Sequence, residues 1–409
     1  MPGPWSQAYR PFVAFEKTFI PLGAYWSTPF CRWQASLASY HSVKLAAQVA
    51  GDALGAKKID PRRFDGVMLG MTVPQQSSFY GAPWLAGMIG ATDVTGPTLS
   101  QACATSARVI ASAATEVELG QRERVLGVTC DRTSNGPHIY YPNPAGPGAK
   151  GDAEDWVWDA FNHDPFAKNA MIETAERVAK EAGITREEQD EVTLVRYAQY
   201  ADALADERAF QKRYMVPVRL MRGKKQTGRV EADEGVFPTT AEGLAKLRPM
   251  VEGGSVTFGS QTHPADGNAG MVITTEPIAR EMSRDPAVPI RLLGFAEARV
   301  ERGMMPKAVV PAARRVLERT GVMLSDVKAV KTHNPFAVSD VLLARELDLP
   351  QDRINRFGSP LVYGHPQGPT GMRVVMELIE ELVQTGGGIG LFSGCAAGDT
   401  AMALVLRVG

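Results

Sequence analysis

Cysteine is scarce in this sequence, which contains four among 409 residues. The four are Cys31, Cys103, Cys130 and Cys395. No two of them form a C-x-x-C pair, so their spacing supports neither a disulfide framework nor a zinc site. We therefore expect no metal, and at least one cysteine is free for chemistry.

Long apolar runs are also lacking. The longest, such as residues 386–398, are short and rich in glycine, well below the roughly 20 residues that a membrane-spanning helix requires. The first residues, Met1 to Trp5, contain no basic segment leading into an apolar core, so they do not resemble a signal peptide. We expect a cytoplasmic protein that does not act at a membrane.

Neither sign of charge is in excess. Lys and Arg number 44 and Asp and Glu number 45, giving a net charge of -1. Such a chain has no global field that would gather a phosphate backbone, so nucleic acid is not an expected partner. The length and the 44% of hydrophobic residues suit a globular α/β protein with two or three packed domains.

Helical and strand patterns alternate along the first 130 residues. Helices are predicted at residues 41–54 and 105–119, and strands at 64–71 and 124–130. A loop rich in Pro, Gly and aromatic residues then leads to two helical stretches, at 167–182 and 185–213, which indicate an insertion.

Strand patterns return at residues 255–259 and 270–275, and residues 289–409 repeat the order of the first part. This repetition predicts two duplicated α/β halves in five layers (αβαβα), with a shared helical layer between two mixed sheets. The predicted segments are an N-terminal half at 1–131, an inserted helical loop domain at 132–250, a return to the first half at 251–281, and a C-terminal half at 282–409.

One cysteine lies among small residues directly before a predicted helix. Cys103 stands in the segment Ser-Gln-Ala-Cys-Ala-Thr-Ser-Ala at residues 100–107. The dipole and free N–H groups of a helix N-terminus lower the pKa of a thiol. A lone cysteine is commonly a small core residue, but small neighbours on both sides leave room for a ligand and favour a nucleophile.

Three other turns carry chemically capable side chains. His365 lies between glycine and proline ahead of a helix, where a surface-loop histidine is the alternative. Cys395 ends an apolar strand in a tight turn. His333 and Asn334 follow a strand at residues 327–331, and because Asn334 precedes a proline, helix capping is the alternative for it.

The order of these segments resembles the thiolase family over nearly the whole chain. Residues 171–179 and 183–190 are similar to the signature of that family's inserted loop domain, and residues 244–249 to the stretch that closes it. The segment from Gly253 to Gly270 resembles the return to the first half, and the His365 and Cys395 turns follow in the family's order. The resemblance implies the thiolase fold and an acyltransferase that uses coenzyme A (CoA) as substrate, with no permanently bound cofactor.

The resemblance also implies roles for these residues. Cys103 would attack the keto carbonyl of a 3-oxoacyl-CoA while His365 takes its proton. Cys395 would act as general acid and base. The backbone N–H groups of Cys103 and Ala397 would stabilise the tetrahedral oxyanion, and His365 with a held water would stabilise the enolate.

The sequence departs from the family pattern at several positions. His333 replaces the asparagine that holds the water and Asn334 replaces an acidic residue, similar to the His-containing variant of sterol carrier protein thiolases. Ala397 replaces a usual glycine. Phe237 stands where many members have a CoA-contacting arginine. The resemblance also implies that Thr262 contacts the pantetheine of CoA. It implies that Met171 forms a wall of the acyl pocket, and the alternative is that Met171 is a core methionine.

Other functions remain open at this point. A condensing synthase of the ketoacyl or hydroxymethylglutaryl type keeps the nucleophile and a histidine but lacks the second cysteine, so Cys395 discriminates against it. A silent CoA-binding scaffold subunit would not need Cys103, His365 and Cys395 together. A cysteine hydrolase would leave Cys395 unexplained.

The resemblance also implies partners. The family buries the nucleophile-bearing half against its twin, so a homodimer or larger assembly is expected. The His333-Asn334-Pro335 variant and the aromatic loop at residues 140–161 resemble divergent bacterial thiolases that act with a small zinc-ribbon/OB-fold subunit, such as the benzoylsuccinyl-CoA thiolase type. This narrower resemblance implies an aromatic substrate.

Overall fold

The computed structural model describes residues 14–409. The first 13 residues, which begin the predicted N-terminal half, lie outside the described residues. Across residues 14–409, no helix has both the length and the apolar character needed to cross a membrane.

Strands and helices alternate at the start of the described chain, and these strands form most of the first sheet. These elements are β1 (Tyr25–Ser27), β2 (Cys31–Arg32), α1 (Ser42–Ala56), β3 (Gly66–Gly70), α2 (Gly81–Met88), β4 (Thr98–Leu99), α3 (Thr105–Glu118) and β5 (Arg124–Arg132). Strand β3 pairs in parallel with both β4 and β5. Its Val67 and Leu69 are fully buried, because helices cover parallel strands on both faces.

A long segment then separates β5 from its next neighbour in the same sheet. It contains β6 (His138–Tyr141), β7 (Asp152–Asp155), α4 (Trp156–Asn162), α5 (Met171–Ala182), α6 (Arg186–Arg208), β8 (Val218–Arg222), β9 (Lys225–Val230) and α7 (Ala241–Ala245). Strand β10 (Ala265–Thr274) returns antiparallel to β5 and leads into α8 (Glu276–Met282). The first sheet has the order β1-β10-β5-β3-β4, and β2 also pairs with β10. The predicted boundaries at residues 131, 250 and 281 stay a prediction.

The strand predicted at residues 255–259 is wrong. The backbone N–H groups of Ser255 and Val256 donate to the carboxylate of Glu176 on α5, at 2.8–3.0 Å. These donors are satisfied by a side chain, so the segment has no need of a neighbouring strand.

The last part of the chain builds the second sheet. Its elements are β11 (Ile290–Arg299), α9 (Val309–Thr320), β12 (Val327–His333), α10 (Ala337–Leu347), α11 (Pro360–Tyr363), α12 (Thr370–Gln384), β13 (Gly388–Ala396) and β14 (Thr400–Val408). The sheet order is β11-β14-β13-β12. Helices α3 and α12 pack together between the two sheets, while α1 packs on the first sheet and α9 on the second. The predicted five-layer αβαβα arrangement is confirmed.

A buried ion pair joins the middle layer to the inserted segment. The Arg373 guanidinium on α12 donates to both carboxylate oxygens of Asp233, at 2.6 and 2.8 Å, and to Glu377 at 3.0 Å. The Arg373 and Asp233 side chains are fully buried, and the guanidinium lies 3.6 Å from the centroid of the Tyr363 ring. Because α12 follows the His365 turn directly, this pair fixes the insertion relative to that turn.

Candidate active site

Three of the turns singled out in the sequence meet at one point. The Cys103 sulfur and one ring nitrogen each of His333 and His365 all lie within 4.8 Å of one another. The centroids of the two imidazole rings are 4.1 Å apart. Cys395 adjoins them, since its carbonyl oxygen lies 3.0 Å from His333 Nδ1. Four residues predicted separately therefore form one site.

A constrained turn presents Cys103. The preceding Ala102 has a φ of 43°, a left-handed conformation that costs a non-glycine residue energy and is common at functional sites. The Thr105 hydroxyl group fixes this turn, because it donates to the Ala102 carbonyl at 2.7 Å and accepts from the Gln101 N–H at 2.8 Å. Helix α3 begins at Thr105, so the thiol lies just ahead of it.

The Cys103 thiol is not acidic in this site. Burial raises the pKa of the Cys103 thiol to about 12, which outweighs the hydrogen bond that the Ala397 N–H provides. The expectation that the helix N-terminus lowers this pKa is therefore wrong, because desolvation disfavours the thiolate more than nearby N–H groups favour it. The thiol carries its proton at neutral pH, so attack requires a base.

Two backbone N–H groups point at the Cys103 sulfur. They are those of Cys103 itself and of Ala397, the pair predicted to form an oxyanion hole. The Ala397 turn is held by Asp399, whose carboxylate accepts from the N–H groups of Gly303 and Met304 at 2.9 Å each. A carbonyl carbon bonded to this sulfur would bring its oxygen within reach of both donors.

His365 is held as a neutral imidazole. Its Nδ1 lies 2.6 Å from the Thr370 hydroxyl oxygen, and its backbone N–H donates to the His263 carbonyl at 2.9 Å. Gly364 precedes it at a φ of 90°, where a Cβ would lie 2.6 Å from the His263 ring. Burial and then the neighbouring His333 lower the pKa of His365 well below its usual value. The ring is therefore neutral at pH 7 and can accept a proton.

The hydrogen bond of His333 determines its tautomer. A carbonyl oxygen only accepts, so Nδ1 carries the proton that it donates to Cys395. Burial lowers the pKa of His333 to about 4, so the ring is neutral and its Nε2 is an acceptor. His333 can then hold a water at Nε2, but in this tautomer it cannot donate from Nε2 to an oxyanion.

Cys395 is buried at the end of β13. Burial, and then the nearby Cys103, raise the pKa of the Cys395 thiol, against the effect of a hydrogen bond with the Ser339 side chain. The group is therefore a protonated thiol at neutral pH. It can donate a proton to a carbanion that forms beside it.

Asn334 is turned away from this cluster. Its amide nitrogen donates to Asp340 at 2.7 Å, and its amide oxygen accepts from the Leu361 N–H at 3.2 Å. Asp340 also accepts from the Thr332 hydroxyl at 2.6 Å and from Arg196 at 2.8 Å. Asn334 thus belongs to a buried network behind β12. It is not a helix cap either, because α10 begins three residues later, at Ala337.

Sequence reasoning missed another carboxylate that supports the site, that of Asp131. Asp131, at the end of β5, accepts from the N–H groups of Thr72, Val73 and Gly368 at 2.8–2.9 Å. Burial raises the pKa of Asp131 to about 7, against these hydrogen bonds. The carboxylate ties the His365 turn to the first sheet. No local motif marks such a residue, because its partners lie far away in the sequence.

The residues predicted for CoA and acyl contacts lie in different segments, Thr262 and Phe237 in loops and Met171 on α5. Thr262 donates from its hydroxyl group to the Pro360 carbonyl at 2.6 Å. Phe237 is 56% exposed, and the Arg32 guanidinium carbon lies 5.5 Å from its ring centroid. Met171 begins α5 and packs partly buried against the core of the second half.

Known proteins match this chain over all or nearly all of their lengths. The chain is 29% identical over 386 residues to an acetyl-CoA acetyltransferase of Escherichia coli (strain K12), covering 92% of this chain and 95% of that protein. The crystal structure of the Bacillus anthracis acetyl-CoA acetyltransferase matches with a TM-score of 0.88 and 30% identity, over 98% of this chain and 100% of that one. Human mitochondrial 3-ketoacyl-CoA thiolase in complex with CoA matches with a TM-score of 0.87 and 26% identity, over 98% and 100%.

Both halves also match a described family. Residues 24–277 match "Thiolase, N-terminal domain" and residues 287–408 match "Thiolase, C-terminal domain". The fold and these relatives define an acyltransferase. The chain belongs to the thiolase family.

Proposed function

We propose that this enzyme cleaves a 3-oxoacyl-CoA with free CoA, through an acyl-enzyme on Cys103, to give two acyl-CoAs. The observation that carries the proposal is the convergence of the Cys103 thiol and the two neutral imidazoles of His333 and His365 within 4.8 Å, with Cys395 beside them. Cys395 favours this reaction over that of a condensing synthase or a hydrolase, because it supplies the second acid and base that carbon-carbon cleavage needs.

Acylation begins with transfer of the Cys103 proton to His365. The sulfur then attacks the keto carbonyl, and the N–H groups of Cys103 and Ala397 stabilise the oxyanion. For His365 to accept the proton at Nε2, its Nδ1–H donates to the Thr370 hydroxyl oxygen, which lies 2.6 Å away.

Cleavage of the carbon-carbon bond moves an electron pair into the thioester enolate. His365, now protonated, donates its Nε2–H to the enolate oxygen. A water that donates one proton to His333 Nε2 and the other to the same oxygen completes the second oxyanion hole. Cys395 gives its proton to the enolate carbon. The thiol of free CoA then gives its proton to Cys395 as its sulfur takes the acyl group, and the departing Cys103 thiolate recovers its proton from His365.

Asn334 takes part in this scheme as a positioning residue. Its amide joins Asp340 to the start of α11 at Leu361, and Asp340 also binds the hydroxyl group of Thr332, the residue directly before His333. Loss of Asn334 would therefore misplace the His333 ring without removing a group that touches substrate.

The CoA substrate is proposed to lie along Thr262, Met171 and Phe237. A structural relative was crystallised with CoA, which supports CoA as the shared substrate. Phe237 replaces a CoA-contacting arginine, but the Arg32 guanidinium lies over its ring and can supply positive charge for a phosphate. The aromatic ring itself offers a face on which an adenine base can stack.

The acyl group is proposed to be aromatic, as in benzoylsuccinyl-CoA, on the narrower sequence resemblance alone. On the same resemblance, we propose that the enzyme acts with a small zinc-ribbon/OB-fold subunit. Exposed aromatic side chains on the insertion are consistent with a partner surface. They are Tyr140, Tyr141 and Trp158, which are 59%, 47% and 62% exposed.

The test is to incubate the purified protein with free CoA and a panel of acetoacetyl-, long-chain 3-oxoacyl- and aromatic 3-oxoacyl-CoAs, and to separate the products by mass. Two acyl-CoA products from one 3-oxoacyl-CoA support the proposal. Hydrolysis to a free acid, or binding without turnover across the panel and with co-purified subunits present, contradicts it. The ranking of aromatic against aliphatic substrates tests the acyl group separately.

A further inference from the structure

The active site contains a set of metal ligands that the cysteine spacing did not indicate. The Cys103 sulfur and a ring nitrogen each from His333 and His365 lie within 4.8 Å of one another. Zinc bonds of about 2.3 Å to sulfur and about 2.0–2.1 Å to nitrogen, at tetrahedral angles, require ligand separations of roughly 3.3–3.6 Å. Closing the remaining difference takes side-chain shifts of about 1 Å, which rotation of these three side chains can supply.

The hydrogen bonds around both imidazoles match those of metal-binding histidines. Such a histidine donates one ring N–H to an oxygen acceptor and binds the metal through the other nitrogen. His333 Nδ1 lies 3.0 Å from the Cys395 carbonyl oxygen, and His365 Nδ1 lies 2.6 Å from the Thr370 hydroxyl oxygen. Both Nε2 atoms are buried and have no hydrogen-bond partner within residues 14–409.

We propose that Cys103, His333 and His365 bind one Zn²⁺ ion, and that this ion reversibly inhibits the enzyme by occupying its nucleophile. Binding replaces the S–H bond of Cys103 with a zinc–sulfur bond and releases the proton to solvent, without oxidation or reduction. Thiolate and imidazole ligands together select Zn²⁺ among the common divalent ions. Three protein ligands leave the fourth tetrahedral position for water or substrate.

The site depends on His333, because an asparagine there would leave only two ligands. Cys395 is not part of the set, since its thiol is engaged by the Ser339 side chain. The binding measurement does not depend on the proposed carbon-carbon chemistry, so a failure of either can be recognised separately.

The test measures metal binding directly, on the whole chain treated with a chelator and dialysed. Zn²⁺ is titrated by calorimetry, and Co²⁺ is added in its place because a thiolate–cobalt bond gives a near-ultraviolet charge-transfer band. We expect one ion per chain and loss of the band in Cys103→Ser. His333→Asn should bind the ion at least about 10²-fold more weakly, which exceeds the usual loss when a residue that only hydrogen-bonds a metal ligand is removed. His41→Asn is the matched control, because His41 lies outside the proposed zinc site and its ring is hydrogen-bonded to the Gln76 carbonyl oxygen.

Inhibition of turnover by Zn²⁺, relieved by chelator and prevented by prior acylation of Cys103, would support the regulatory part. His365→Asn provides a second ligand variant should His333→Asn fail to fold, as judged by circular dichroism. The proposal is overturned if no charge-transfer band forms, or if the folded ligand variants bind Co²⁺ as tightly as the control. It is also overturned if Zn²⁺ saturates the site without inhibiting.

Discussion

Replacing His333 with alanine should separate the two proposed oxyanion sites of the enzyme. The variant loses the Nε2 acceptor that would hold the oxyanion water, while the N–H groups at the Cys103 sulfur stay in place. Removing one oxyanion contact costs about 10²-fold or more in turnover, or about 3 kcal/mol in the barrier. Cleavage of a 3-oxoacyl-CoA should therefore slow by at least this factor. Acylation of Cys103 by a simple thioester should proceed at close to the original rate, because no enolate forms in that step.

The comparison with asparagine sharpens the prediction. In His333→Asn the amide oxygen is again an acceptor, so this variant should recover part of the loss that alanine causes. Burial lowers the pKa of His333 to about 4, so the neutral acceptor form is present above that pH. The ratio of wild-type to alanine rates should therefore stay constant from pH 6 to 9.

The assay is single-turnover cleavage by rapid quench, beside acylation followed by intact mass. The alanine variant also leaves the Cys395 carbonyl without its donor, at a cost of about 1–3 kcal/mol in the free energy of unfolding, so thermal unfolding is measured in parallel. Wild-type cleavage by a folded His333→Ala would refute the reasoning and leave His333 as a structural residue. An equal loss in acylation and cleavage would refute the separation of the two sites.

Further predictions concern the nucleophile, its base, the assembly and the buried ion pair. Labelled acyl-CoA should acylate Cys103 alone, as found by peptide mapping, and label on Cys395 or full turnover by Cys103→Ser would contradict this. Because burial lowers the pKa of His365 well below its usual value, the base form is present throughout pH 6–8 and the acylation rate should not fall as pH drops from 8 to 6; a decline with a midpoint near 6.5 would show an ordinary histidine. Light scattering should give at least twice the 44.1 kDa of one chain, and a monomer mass would exclude the homodimer. Arg373→Met should lower the free energy of unfolding by about 3–5 kcal/mol, because it leaves the Asp233 carboxylate buried without its charged partner. A loss under about 1 kcal/mol in denaturant titration would contradict that.

The sequence marks residues whose local neighbours reveal them. Cys103 and His365 stand in turns of small residues and glycine ahead of helices, and such turns can be recognised without knowing what they face. The five-layer arrangement follows from the repeated order of elements together with the family resemblance. These are properties of contiguous segments, so they can be predicted from hydrophobic periodicity and from the residues that form turns.

The parts that sequence could not supply depend on contacts between distant segments. Asp340 and Arg196 lie on ordinary helices and meet only because α6 packs on α10. The segment at residues 255–259 has a strand-like pattern, but two of its N–H groups donate to the Glu176 carboxylate instead of to a neighbouring strand. The pKa of Cys103 is raised, although the sequence predicts a lowered one. The position of Cys103 before a helix can be read from the local sequence, whereas its desolvation depends on how distant segments pack around it.

The buried pair between Arg373 and Asp233 limits how this protein can be rebuilt by recombination. An engineer seeking a new acyl range would exchange the segment between β5 and β10 as a module, since both of its ends lie on adjacent strands of one sheet. A donor segment without an acid at position 233 would leave Arg373, on the helix that follows the His365 turn, buried without that partner. Grafts that carry the acid, or that replace Arg373 in the same step, are therefore the ones to build first.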